Sequence, residues 1–208
     1  MPTTSELSPG TDALRVAERV ACSEVEGPHR RYVVWVQGCS LRCPGCCNPE
    51  LFAAAGGAVV GVAELAAEVL AARADHGIEG VTFLGGEPLE QIAGVTALAR
   101  RVRAAGLGVL VFSGYTLAEV LARPGGAALL AVVDTLVDGR FDATAREPVD
   151  GRRVIGSRNQ RLVHRTPRYA DPALWRGPRR IELRVGPAGE IGVLGDPALT
   201  RRLAGVWR

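Results

Sequence analysis

Tyr32-Val33-Val34-Trp35-Val36-Gln37-Gly38-Cys39-Ser40-Leu41-Arg42-Cys43-Pro44-Gly45-Cys46 decides how the rest of the chain is read. Its first five residues are an unbroken run of β-branched and aromatic side chains, the pattern of a strand buried on both faces. Three cysteines then follow on a single loop at the spacing CxxxCxxC. A [4Fe–4S] cluster takes four thiolates, one per iron. Three ligands leave one iron open, and an open metal position belongs to chemistry rather than to scaffolding. The competing reading is a zinc site, which favours CxxC pairs and needs a fourth ligand. His29, just before the strand, is the one histidine placed to supply it; His76 and His164 are remote in sequence.

Outward from this loop the chain alternates. Upstream, Arg15 to Ser23 reads as a strand leading to a turn at Glu26-Gly27-Pro28. Downstream, residues 61–75 place Leu65, Val69 and Ala72 at helical spacing, with Glu64 and Glu68 toward solvent. Val81 to Leu84 is a second buried strand that ends in Gly85-Gly86-Glu87-Pro88. A helix over 89–105 follows, with Ile92, Val95, Leu98 and Val102 on one side and Gly106 as its stop. Leu107 to Phe112 is a strand ending at Ser113-Gly114-Tyr115, and Thr116 with Glu119 forms a capping box for a short helix. Val132 to Val137 is a further strand, ending at Asp138-Gly139. Residues 140–160 read as loop; Arg180–Val185 and Glu190–Leu194 read as a β-hairpin, and 197–207 as a final helix.

Strand, loop and helix repeated at this length predict an α/β fold, a partial open (β/α) barrel of mainly parallel strands with a C-terminal hairpin. The chain is expected to form one domain over 1–208, with the polar residues 1–13 frayed. Ligands of such sheets gather at the carboxyl ends of strands. The cysteine loop, Gly85-Gly86-Glu87-Pro88, Ser113-Gly114-Tyr115 and Asp138-Gly139 all fall there, so the topology is expected to bring them to one rim.

Composition narrows the function classes. Hydrophobic residues make up 47% and charged residues 23%, a globular balance. All the basic side chains are arginine, which fits the codon usage of a GC-rich genome together with abundant Ala, Gly and Val. The net charge of +3 is spread along the chain and aromatics are only 5%, so no nucleic-acid footprint is expected. No apolar run reaches membrane-spanning length and no signal-peptide pattern is seen, so no membrane association is expected. Five cysteines, three of them crowded on one loop, argue for a reduced, cytoplasmic setting rather than a disulfide framework. Cys22, isolated on a strand, reads as a core residue.

The spacing Cys39-x-x-x-Cys43-x-x-Cys46 resembles the signature of the radical S-adenosylmethionine (SAM) enzymes. More narrowly, Val36-Gln37-Gly38-Cys39 with Cys43-Pro44-Gly45-Cys46 and Asn48-Pro49 is similar to the activating proteins of anaerobic (class III) ribonucleotide reductase, which belong to the glycyl-radical-enzyme activases. The resemblance runs from about Val25 to Gln160. It implies that Cys39, Cys43 and Cys46 hold a [4Fe–4S] cluster whose fourth iron binds the amino and carboxylate groups of SAM. One electron from the cluster would then break the C5′–S bond, and the resulting 5′-deoxyadenosyl radical would abstract hydrogen from the substrate. The resemblance further implies a glycyl-radical enzyme as protein partner and a flavodoxin or ferredoxin as electron donor.

The remaining candidate residues follow from the same likeness. Gly85, Gly86, Glu87 and Pro88 would cradle the ammonium of SAM, the glycines allowing close backbone approach and Glu87 adding charge. Ser113 is either a turn and cap residue or a contact to SAM. Asp138 is either a turn former or a partner of the ribose or substrate. Gly156, Ser157 and Asn159 resemble a late signature near the nucleoside, and Gly45 and Cys47 flank the loop where the adenine would lie. Cys47 stands where the family carries an aromatic or histidine, and reads as a small packing group or a spare thiol. Glu26-Gly27-Pro28-His29-Arg30 replaces the Asp-Gly-Pro-Gly common in the activases. Two other readings remain: the same initiation chemistry on a small metabolite or peptide, and a non-catalytic iron–sulfur or zinc interaction module.

Overall fold

The computed structural model describes residues 11–206 other than Pro187. Of the segment expected to fray, 1–10 lie outside the described residues, while Ala13 already begins the first strand. In chain order the elements are β1 (Ala13–Ser23), β2 (Arg31–Val36), β3 (Ala58–Gly61), α1 (Val62–His76), β4 (Gly80–Gly85), α2 (Ile92–Ala104) and β5 (Gly108–Ser113). They continue with α3 (Leu117–Ala122), α4 (Gly126–Leu130), β6 (Thr135–Asp138), β7 (Arg161–His164), β8 (Ile181–Val185), β9 (Ile191–Gly195) and α5 (Pro197–Val206).

Seven strands form one sheet in the order β3-β1-β2-β4-β5-β6-β7, and β8 pairs with β9 as a separate antiparallel hairpin. The four central strands β2, β4, β5 and β6 are parallel neighbours. The flanking strands β1, β3 and β7 are antiparallel. The expectation of mainly parallel pairing is thus corrected: three of the six pairings are antiparallel, and the sheet is mixed, with free edges at β3 and β7. The reason is connectivity. Short links such as the turn between β1 and β2 cannot make the crossover that parallel pairing requires.

Alternation along β2 explains its continuous apolar run. Tyr32, Val34 and Val36 join the large core formed with Leu65 and Val69 of α1, Val95 and Leu98 of α2 and Leu129 of α4. Val33 and Trp35 point the other way, where they pack with Val20, Val25 and Leu194 of β9. A third cluster on Leu110 and Val137 gathers Ile155, Tyr169 and Trp175. The helices therefore cover one face of the sheet. The cavity walls described below belong to the other face, which the segment after β6 and the hairpin partly close.

Several expectations shift in detail. Glu68 is partly exposed, but it also accepts a hydrogen bond from the Tyr32 hydroxyl and pairs with Arg19 at 2.8 Å. The strand expected from Val132 starts at Thr135, because Val132 N–H still bonds to Leu129 O at the end of α4. The helix expected from residue 89 is a 3-10 turn over Pro88–Gln91 before α2 proper. Strands β3 and β7, four residues each, are additions to the expected order. Cys22 is half-buried and packs against the main core.

Candidate active site

The cysteine loop begins where β2 ends, and its path is fixed by neighbours. Gly38 N–H donates to Leu51 O at 3.0 Å, Cys39 N–H to Phe52 O at 3.2 Å and Cys46 N–H to Cys43 O at 3.1 Å. Ser40 donates to Glu90 Oε1 through both its N–H (2.7 Å) and its hydroxyl (2.5 Å). Cys39, Cys43 and Cys46 are half-buried, unbridged, and all line one cavity. Burial pushes the Cys39 thiol up, while the backbone N–H groups of Leu41 and Arg42 oppose that shift. Asn48 N–H reaches Cys46 Sγ at 3.5 Å. Donors aimed at sulfur are the surroundings a metal-bound thiolate uses. The adjacent Cys47 thiol lowers the Cys46 thiol to about 6, while Cys46 and then burial raise that of Cys47.

Among the described residues, no three His, Cys, Asp or Glu side chains converge closely enough to hold a single metal ion. A cluster puts each thiolate on its own iron. His29, the candidate fourth zinc ligand, is exposed and does not line the cavity.

The turn after β4 locks onto this loop. Gly86 N–H donates to Val36 O and Glu87 N–H to Gly38 O, both at 2.8 Å. A Cβ on Gly86 would lie 2.8 Å from Gly38 C and 3.0 Å from Gly38 N, so only glycine permits the approach. Gly85 adopts φ +108°, the region that glycine alone enters readily. Glu87 is 2% exposed. Its carboxylate accepts from Leu89 N–H (2.9 Å), the Ser113 hydroxyl (2.8 Å) and Gly114 N–H (2.8 Å). Burial nevertheless raises it to about 7, with the charge of Glu90 adding to the rise; among the described residues no cation lies within 4 Å of it.

The cavity has a volume of about 290 Å³ and lies at the carboxyl ends of β2, β4 and β5. Of the residues singled out by sequence, Cys39, Cys43, Gly45, Cys46, Cys47, Gly85, Gly86, Glu87, Ser113 and Gly156 line it together. The structure does not bring the others to the wall. Pro88 is buried at the start of the 3-10 turn. Asp138, fully buried, accepts from Leu117 N–H at 2.7 Å and from Arg161 Nε at 2.9 Å. Ser157 is fully buried and its hydroxyl accepts from Asp142 N–H at 3.1 Å. Asn159 donates to Arg140 O at 2.7 Å on the surface.

Sequence reading missed other wall residues: Phe112, Phe141, Arg153, Val154, Arg179 and Arg180. Phe112 precedes Ser113 and could have been found by strand alternation, since it faces away from the helices. Val154 adopts φ +60°, an unusual conformation for a β-branched residue. Glu26 also lines the wall and accepts from Gly195 N–H at 2.9 Å; burial lifts its carboxyl to about 7.

A rim of thiols beside a glycine-rich turn, at the carboxyl ends of parallel strands, is the architecture of an iron–sulfur enzyme. The profile of the 4Fe–4S single cluster domain family matches residues 25–163. The chain belongs to that family and, within it, groups with the anaerobic ribonucleoside-triphosphate reductase-activating proteins. The Vibrio cholerae anaerobic ribonucleoside-triphosphate reductase-activating protein is 32% identical over 147 residues, covering 68% of this chain and 91% of the relative. Its Salmonella typhimurium counterpart is 33% identical over 149 residues, covering 67% and 92%. The pyruvate formate-lyase-activating enzyme of Clostridium pasteurianum is 45% identical over 69 residues, covering 32% of this chain and 29% of the relative.

Proposed function

We propose that the cavity is the reaction chamber of a radical SAM activase that installs a glycyl radical on a partner enzyme such as anaerobic ribonucleotide reductase. Cys39, Cys43 and Cys46 would hold the [4Fe–4S] cluster, and Gly85, Gly86, Glu87 and Ser113 would receive SAM. When bound, the two supply the electron and the 5′-deoxyadenosyl radical that removes hydrogen from the substrate. The chain's own part is orientation and exclusion of water. The Glu87 carboxylate, buried without a cation, is held toward the site by three donors and suits an incoming ammonium. Trp35, Leu84, Phe112 and Ile155 form an apolar floor beside it.

The observation that carries this reading is the direct lock between the two motifs, Glu87 N–H to Gly38 O and Gly86 against the Gly38 backbone. It ties the turn that would hold SAM to the residue preceding the first cysteine. Gly45, Cys47 and Gly156 complete the wall where the nucleoside would lie. Pro88, Asp138, Ser157 and Asn159 act behind the wall, through the turns and loops they fasten. The one-sided helical cover supports a sheet curled as a partial (β/α) barrel, within a single domain whose inner face holds the site. A flavodoxin or ferredoxin in the cytoplasm is the proposed donor. No helix among the described residues is long and apolar enough to cross a membrane.

Anaerobic reconstitution with iron and sulfide, followed by SAM and a strong reductant, tests the reading. Release of 5′-deoxyadenosine and a glycyl-radical signal on the partner are expected. Reconstituted protein that binds iron yet yields no 5′-deoxyadenosine refutes it.

A further inference from the structure

The cavity wall also carries Arg153, Arg179 and Arg180, and their charges are unevenly answered. Arg153 is half-buried; it donates to Leu174 O from Nε (2.9 Å) and to Gly27 O from Nη2 (3.3 Å). Both acceptors are neutral carbonyls, and among the described residues no carboxylate lies within 4 Å of its guanidinium. Arg180 lines the same wall and likewise has no carboxylate partner there. The two repel: burial first, and then the charge of Arg180, lower the Arg153 guanidinium from its usual range.

Arg179, on the same wall, uses Nη1 on Asp196 (2.6 Å) and Nη2 on Glu147 O (2.6 Å) and Pro148 O (2.9 Å). Its Nε is buried with no acceptor. That Nε is closed off from the cavity as well, and both Nη groups are engaged, so Arg179 offers no free donor and instead braces the segment that carries Arg180. Glu26 lines the cavity as well, but no guanidinium stands within 4 Å of it. Asp196 is committed to Arg179 and to the first N–H groups of α5, at Ala198 (2.9 Å) and Leu199 (3.1 Å).

We infer that Arg153 and Arg180, with Arg179 bracing the segment between them, form an oxyanion subsite that takes a carboxylate or phosphate carried by the substrate. The inference rests on the cavity being the reaction chamber proposed above. Planar guanidinium groups are the side chains suited to carboxylate and phosphate, and two cations without a carboxylate partner gain from an anion placed between them. The subsite and the cysteines line the same cavity, so a substrate anchored there would share the chamber with them. Arg180 and the start of α5 lie beyond residue 163, where the family match ends. Part of the subsite is therefore contributed by the chain's C-terminal segment.

The test uses the full reconstituted chain and equilibrium binding of four probes: inorganic phosphate, SAM, and two glycine-centred peptides that differ only in Asp or Asn beside the glycine. Arg153→Gln also breaks the bonds to Leu174 and Gly27, so Arg180→Gln, whose side chain is exposed, carries the comparison. The wild type is expected to bind phosphate, and Arg180→Gln to weaken that binding by roughly tenfold or more, the size of a lost charge-assisted hydrogen bond. A peptide-borne anion is indicated if the Asp peptide binds more tightly than the Asn peptide and loses that advantage in Arg180→Gln. A small-molecule anion is indicated if phosphate alone shows the loss; both outcomes support the subsite. Equal phosphate and peptide binding by wild type and variant overturns it. So does a loss of SAM affinity with phosphate binding unchanged, since the arginines would then serve the cofactor. Phosphate binding is read without turnover, so a wild type that releases no 5′-deoxyadenosine sinks the proposed reaction without deciding this subsite.

Discussion

Replacing Gly86 by alanine tests the lock between the two motifs most directly. The added methyl would stand 2.8 Å from Gly38 C and 3.0 Å from Gly38 N, and closer still to Gly38 O. All three are backbone atoms, so no side chain can swing aside. Overpacking of this kind costs about 1–3 kcal/mol. Displacing the strands also weakens the bonds from Gly86 N–H to Val36 O and from Glu87 N–H to Gly38 O, worth about 1 kcal/mol each. A loss of about 3 kcal/mol corresponds to a fall in Tm of about 6–12 °C for a chain of this size. Because Gly38 adjoins Cys39, the shift moves the cluster loop, and iron loading after reconstitution falls with it. The control is Gly77→Ala: Gly77 ends α1 at φ +63° with nothing within 4 Å of an added methyl, so it should cost about 1 kcal/mol and leave iron loading intact. Thermal melting of the apo chain and iron assay of the reconstituted chain read the two effects. A Gly86→Ala variant that melts within about 2 °C of wild type and binds full iron would refute the reasoning.

Three further outcomes are expected. Glu26, raised by burial from 4.5 to about 7, binds its proton more tightly folded than unfolded, so its contribution to stability falls as pH rises from about 4.5 to 7. Glu26→Gln should flatten that part of the melting profile and stabilise the apo chain at pH 8 by at most about 3 kcal/mol, whereas an unchanged pH slope would contradict the burial argument. Asp134, 3% exposed, accepts from Val109 N–H (2.8 Å), the Thr166 hydroxyl (2.6 Å) and Arg103 (3.0 Å). Asp134→Ala should cost about 3 kcal/mol in denaturant unfolding, and a loss below about 1 kcal/mol would show that the junction of β5, β6 and β7 does not depend on it. Cys43→Ala should abolish cluster absorbance and SAM cleavage, while Cys22→Ala, outside the cavity, keeps both; equal absorbance in the two variants would remove Cys43 from the ligand set.

The contrast between Glu87 and Asp138 shows how far local sequence reaches. Each follows a strand and reads, in sequence, as a charged group for a ligand. Glu87 lies at the cavity, its carboxylate held by donors from its own turn and from the neighbouring β5. Asp138 is two strands further on, yet Arg161 from β7 and the first turn of α3 occupy it. That partner is supplied by an antiparallel edge strand of four residues, too short for any periodicity to announce. Ser157 and Asn159 tell the same story, since their partners Asp142 and Arg140 sit 15 and 19 residues away.

What the sequence by itself determined was local: the buried strand Tyr32–Val36, the three cysteines that follow it, and the glycine turn one βα unit later. Apolar periodicity and turn chemistry act over a few residues, and each of these features is complete within that range. Which groups share a wall was decided only by tertiary structure. Folding the parallel strands side by side brought Gly86 against Gly38, and the return of the C-terminal segment placed Arg179 and Arg180 with Arg153 in the cavity that the cysteines line. Burial then set the charges, raising Glu26 and Glu87 to about 7, because the desolvation of a side chain depends on every element packed around it.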